Sequence, residues 1–333
     1  MWMRYSQNIL SSSKNSSSIS LQLIKQFRTQ ISRTISKEKP RRSIKNFDES
    51  TVLRVEPKLE PHPSRLLIRP TIFTISFVGC SFVTCAIWQY ESQRHKLRKL
   101  KERWQSKGNS QQLSSQLRNI WRDLSEPKRV IGTIIGLNLL VFLAWRVKRF
   151  EPFLLKYFTS SPYKPNLSSM LLSTFSHYNG LHFFCNMYVL WSFSDPIIQI
   201  FGKEQFAAVF VSGGVVSSWL SYVFKIVTKT PNISLGASGS IMALLGAVCT
   251  QFPDAKLAII FLPFFTFSAK TALISMVSFD LLGTIMRWRY LDHSAHLGGV
   301  LFGIFYVKYG YKLLWESLTP VVQQWHRLRE KFK

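Results

Sequence analysis

The sequence predicts an all-α, polytopic membrane helix bundle in a 1+6 arrangement: one N-terminal span, a basic loop, then a core of six spans. Three observations carry that prediction. Of 333 residues, 46% are hydrophobic and 14% aromatic, yet the formal net charge is +26. The charge collects in the N-terminus, one loop and the C-terminal tail, and the stretches between are sparsely charged. Apolar runs of spanning length alternate with these basic blocks, which is the layout of a multi-spanning membrane protein. A basic chain can be a nucleic-acid binder. Here the basic blocks border membrane segments, so the expected partner is membrane lipid and no nucleic acid is expected.

Residues 1–47 hold ten Lys or Arg, eleven Ser and one acid, Glu38. Leu10, Leu21, Leu23, Ile24, Phe27 and Ile31 line one face of a basic helix. That composition predicts a mitochondrial transit peptide. Residues 48–70, with Pro57, Pro61, Pro63 and Pro70, read as a polar linker. The extra span is placed at 71–89, its apolar run being Ile72 to Trp88. A basic, partly helical loop follows at 90–129, lying near the membrane surface. The six-helix core occupies 130–314. Its first span, Val130 to Val147, carries Gly132 and Gly136 at a spacing that suits close helix packing. Later core spans are expected at Leu181 to Phe201, Gln205 to Val227, Ser238 to Phe252, Thr271 to Met286 and Ser294 to Leu314. Residues 256–267 read as an apolar, Phe-rich loop, and 315–333 as a basic tail. Cys80, Cys85, Cys185 and Cys249 all lie in apolar runs without metal-site spacing. They read as small buried hydrophobes, with no disulfide framework.

The span opening at Ser238 is too short. Its 15 residues to Phe252 reach about 22 Å at 1.5 Å per residue, against a hydrocarbon core of about 30 Å. It must therefore start below the membrane surface, and the loop before it must dip in. Irregular backbone at that depth is tolerated only beside protein or a water-filled cavity. A wetted cavity is what hydrolysis inside a membrane requires.

Polar side chains within spans are costly and usually functional. His182 and Asn186 open the third span overall, Ser238 the fifth, and His296 the seventh. Alternate spans run in one direction, so the three starts share one face of the membrane. A serine hydroxyl is a weak nucleophile and needs a base; His296 can be that base. His182 and Asn186, at i and i+4, project from one helix face. With the Ser238 amide they can supply donors to an oxyanion. No carboxylate with a triad role is evident, so the expected site is a Ser/His dyad. His177 reads as a loop stabiliser. Asp280 is expected to pair with a neighbouring span or Lys270. Gly236 and Gly239 leave space around the serine, and Gly299 and Gly303 let the helix of His296 approach it. A metal site built from His177, His182, His293 and His296 is the chemical rival, but no carboxylate or cysteine completes it. Neither a metal nor another cofactor is expected.

The segments Gly236-Ala237-Ser238-Gly239, His182-xxx-Asn186 and Ala295-His296-Leu297-Gly298-Gly299, in this order at helix starts, resemble the rhomboid intramembrane serine proteases. The extra span, the basic presequence and the stretches Leu171 to His177 and Asp292 to His296 are similar to the mitochondrial inner-membrane members. The resemblance implies Ser238 as nucleophile, His296 as general base, and an oxyanion site from His182, Asn186 and the Ser238 amide. It also implies single-span membrane-protein substrates, imported inner-membrane precursors such as a dynamin-like fusion GTPase. The sequence departs from many bacterial members twice. Pro162 to His177 lacks their Trp-Arg pair, and Met242 stands where they place a tyrosine that stacks on the histidine. A rhomboid-like escort of membrane clients without strong catalysis is the alternative; it would be expected to lack Ser238 or His296.

Overall fold

The structure, a computed structural model, describes residues 63–105, 124–163, 166–259, 262–288 and 290–332. The transit-peptide reading of 1–47 lies outside the described residues. The first helix, α1 (Pro63–Gln105), is 43 residues long. It starts inside the expected linker and continues through the first part of the basic loop, which was expected to be partly helical. Thr71 accepts a bond from the Trp219 indole at 2.8 Å, Ser81 and Ser212 hydroxyls meet at 2.7 Å, and the Phe82 ring lies 5.4 Å from Tyr306. The extra span is therefore packed into the bundle rather than appended to it.

After α2 (Glu126–Ala144) come a short α3 (Glu151–Tyr157) and α4 (Ser169–Leu172), then α5 (Gly180–Phe201), α6 (Lys203–Val227) and α7 (Ser238–Gln251). A hairpin of β1 (Lys256–Ile259) and β2 (Leu262–Ser268) leads into α8 (Ala269–Ile285). The last core span is α9 (His293–Phe305), widened by a π turn at Tyr306–Gly310 and continued by α10 (Tyr311–Leu314). The tail, expected to be merely polar and basic, forms α11 (Thr319–Lys331) and folds back on α1. Glu91 there accepts from Trp325 at 2.9 Å and from Arg329 at 3.0 Å.

Among the described residues, three helices are long and apolar enough to cross a bilayer alone: α1 through 66–102, α2 and α6. The others fall short because they carry the polar residues of the site or, like α7, are truncated. The outward surface is apolar: Leu140, Leu181, Phe184 and Ile285 are all more than 60% exposed, as a lipid-facing surface requires.

Helix α6 lies at the centre, against α1, α7 and α9. Its buried face is small and polar, with Ser212, Gly213, Gly214, Ser217, Ser218 and Ser221. A methyl group on Gly213 would lie 2.4 Å from the Ala243 Cβ. The closest seam is between α7 and α9. A methyl on Gly299 would sit 2.1 Å from the Gly239 carbonyl oxygen, and one on Gly303 2.1 Å from that of Ala243. Backbone meets backbone there because glycine leaves room.

Three expectations need correction. A methyl on Gly136 would meet nothing within 4 Å, so that glycine mediates no close packing; α2 instead stacks Phe142 on Phe183 of α5, with ring centres 4.6 Å apart. Cys80 and Cys185 are exposed on the outer surface, while Cys85 and Cys249 are buried. Residues 256–259 and 262–268 pair antiparallel, with Lys256 opposite Ser268 and Leu257 opposite Phe267. Phe-rich runs suit a pleated surface, and the apolar look of this one masked its strand character.

Candidate active site

Ser238 is the first residue of α7. The loop before it is held from beneath. The Gly236 amide donates to the Ser173 carbonyl at 2.9 Å. The Ala237 amide donates to His177 Nε2 at 3.2 Å. Burial and the neighbouring His182 push His177 down to about 3, so its ring stays neutral and Nε2 keeps its lone pair for that bond. Gly236 has φ of +133°, outside the range of L side chains, and a methyl there would strike the His182 ring at 2.8 Å. The local conformation thus needs glycine twice over: for its backbone angle and for the imidazole above it.

His296 enters from α9. Its Nε2 lies 2.8 Å from Ser238 Oγ, within the reach a nucleophile and its base need. The first turn of α9 is fixed by Asp292. Oδ1 accepts from the Ala295 amide at 3.0 Å and the Ser294 hydroxyl at 2.7 Å, while Oδ2 accepts from Ser221 at 2.6 Å, from Lys225 at 3.0 Å and from Ser234. Burial pushes the Asp292 carboxyl up. The Lys225 ammonium and the three hydroxyls outweigh that and hold it far below the usual carboxylate range. This cluster ties α6, the 234 loop and α9 together just outside the serine–histidine pair.

His182 and Asn186 stand on α5. The His182 ring sits over Gly236 and meets His177 edge-on, with ring centres 5.1 Å apart. Asn186 donates to the carbonyl of His182 at 2.8 Å, so one of its N–H groups serves its own helix. The structure thus brings Ser238 to His296 directly and places His182 beside the serine's loop, while Asn186 is tied back to α5.

Asp280 pairs with a neighbouring span, one of the two expected alternatives, but the side chains it meets there were not anticipated. The residue is 1% exposed on α8 and does not pair with Lys270. Its Oδ1 meets His293 Nδ1 at 2.8 Å and His296 Nδ1 at 3.3 Å. A lone aspartate inside a span was the available signal; its partners lie 13 and 16 residues on, across a turn. The side chains of Asp280, His293 and His296 are close enough to hold a metal. The atoms a metal would take are the ones already facing each other as hydrogen-bonding partners. Trp145 and Arg146 were also missed. The Trp145 indole donates to Ser176 Oγ at 2.9 Å and Arg146 to the Tyr178 carbonyl at 2.9 Å, pinning the loop that carries His177.

A polytopic helical membrane protein with a serine and a histidine paired at the starts of two parallel helices is thereby defined. Residues 164–313 match the rhomboid domain. The mitochondrial presenilin-associated rhomboid-like protein of Mus musculus is 47% identical over 280 residues, which cover 81% of this chain and 74% of that protein. The Homo sapiens protein of the same name is 47% identical over 277 residues, covering 81% and 73%. Rhomboid protein 1, mitochondrial, of Saccharomyces cerevisiae is 30% identical over 187 residues, covering 55% and 53%. The chain belongs to the rhomboid family, whose members are in general intramembrane serine proteases. It is a mitochondrial, multi-pass membrane protein.

Proposed function

We propose that this chain is an active serine endopeptidase of the mitochondrial inner membrane, cleaving single-span membrane proteins in or near their transmembrane segment. The observation that carries the reading is the 2.8 Å contact between His296 Nε2 and Ser238 Oγ. His296 takes the hydroxyl proton as Oγ attacks the scissile carbonyl carbon. The Ser238 amide, His182 and Asn186 face the oxyanion that forms. His296 then gives its proton to the leaving amine as the C–N bond breaks, and water releases the acyl group by the same route in reverse. No cofactor enters these steps. Imported precursors, such as a dynamin-like fusion GTPase, fit as substrates because a helix that unwinds in the membrane exposes its carbonyls to the serine.

The test is cleavage of a single-span substrate by purified protein in detergent or vesicles, beside Ser238→Ala and His296→Ala variants. Product from the wild type alone supports the dyad. Equal product from either variant removes the assignment, and no product from the wild type on several substrates favours a non-catalytic escort.

A further inference from the structure

We infer that Asp280 is a positioning residue for His296, extending the serine–histidine pair into a buried hydrogen-bonded chain that His293 balances from the far side. The inference rests on the protease reading above. His296 has two ring nitrogens. Nε2 must be unprotonated to accept from Ser238, so Nδ1 must carry the hydrogen. Asp280 Oδ1 lies 3.3 Å from that Nδ1, while Nε2 faces Ser238 at 2.8 Å. An ionised carboxylate there accepts the Nδ1 hydrogen, selects the reactive tautomer and stabilises the imidazolium formed when the serine proton arrives. The Nδ1 hydrogen stays in place throughout; only the Oγ proton moves, first to Nε2 and then to the leaving amine. Asp280 thereby supplies an orientation that Met242 cannot give by ring stacking.

His293 shares the same carboxylate oxygen at the shorter distance of 2.8 Å. Its ring is fixed in place. Phe279 and Trp288 meet it edge-on, with ring centres 5.2 and 5.6 Å away, and a methyl on Gly283 would lie 2.5 Å from it. Such a ring sets where Asp280 points, and its donated hydrogen bond withdraws charge from the carboxylate. The titratable and charged groups around His296 are Asp280 from α8, His182 from α5, His293 and Asp292 at the start of its own helix, and Lys225 from α6. The last two are paired with each other.

The two partners should act in opposite directions. Asp280→Asn should lower kcat by about 10²–10⁴-fold, because an amide can hold the wrong tautomer, with KM unchanged. Removing the negative charge should also move the acid limb of kcat/KM to lower pH. His293→Phe keeps the aromatic packing but removes a donor from Asp280. The carboxylate then acts more strongly on His296, so the acid limb should move to higher pH with a smaller loss of kcat. Asp280→Glu should recover part of the Asp280→Asn loss. The measurement is a pH profile of substrate cleavage for these variants in detergent, with Ser238→Ala alongside and a thermal unfolding midpoint for each. Full kcat in folded Asp280→Asn overturns the inference while leaving the dyad intact. Limbs that stay fixed, or move together, in the folded variants reduce Asp280 and His293 to packing and overturn it too. Cleavage by Ser238→Ala would instead overturn the protease reading itself.

Discussion

The two halves of the site are built differently. On the base side, His296 touches the serine and faces a buried carboxylate, and the first turn of its helix is fastened by Asp292 to Ser221, Ser234 and Lys225. On the oxyanion side, His182 rests over a glycine and against another neutral ring, and Asn186 donates back into its own helix. One half is set by charge and hydrogen bonds before any substrate arrives. The other is shaped by backbone and ring contacts, with no charged group in direct contact with His182 or Asn186 among the described residues. Hydrogen bonds at a site without substrate commonly tighten only on binding.

Breaking the base half outright should have the largest effect. Loss of Ser238 or His296 to alanine should reduce kcat by about 10⁶-fold, the scale seen when a member of a serine–histidine unit is removed. The two losses should not add in the double variant.

The fastening around Asp292 should show next, as stability. Lys225→Met removes one partner of a part-buried pair, a change that should cost on the order of 1–3 kcal/mol, read as a lower thermal midpoint in detergent. The same pair gives a pH dependence. The Asp292 carboxyl is depressed in the folded protein, so its contribution is complete above the ordinary aspartate value of about 3.9. It should be lost as pH falls below that, and Lys225→Met should flatten the acid side of the stability profile.

The oxyanion half should respond through rate rather than stability. His182→Ala should lower turnover by about 10²–10³-fold while the protein remains folded. A fall in thermal midpoint without a separate loss of kcat would make His182 a packing residue and remove the contrast between the halves.

The smallest change tests the seam that joins them. Gly299→Ala pushes a methyl toward the Gly239 carbonyl, where only 2.1 Å is available. Overpacking of a core costs about 1–3 kcal/mol or more, and here backbone rather than a flexible side chain must give way. Because the seam sets the approach of His296 to Ser238, kcat should fall along with the midpoint, and Gly136→Ala on the open face of α2 should do neither.

Much of this site was legible in the sequence because it is written in spacing. Ser238 at the start of a helix too short to span, and His182 and His296 at the starts of parallel spans, need only helix geometry and chain direction to converge. The glycines at 236, 239, 299 and 303 announced close approach, and each one meets a neighbour in the structure. Other features depend on which face a residue takes. Gly136 has the same local pattern yet faces open space, because nothing in that pattern says which side of α2 meets protein. Cys80 and Cys185 face outward for the same reason: apolar runs in a membrane look alike on their lipid and protein sides. Asp280 and Lys225 were unreadable as partners because each bond crosses between spans. A single charge in an apolar run shows that a partner exists but not which one.

Activation of Ser238 by His296 is tested most directly by labelling with a fluorophosphonate, since the probe reacts with an activated serine without need of the natural substrate. Wild-type protein should be labelled on the peptide containing Ser238, located by mass spectrometry, and His296→Ala should lose that label while its thermal midpoint is retained. Equal labelling of Ser238 in the folded His296→Ala variant, or labelling of the wild type at another serine only, would contradict the account.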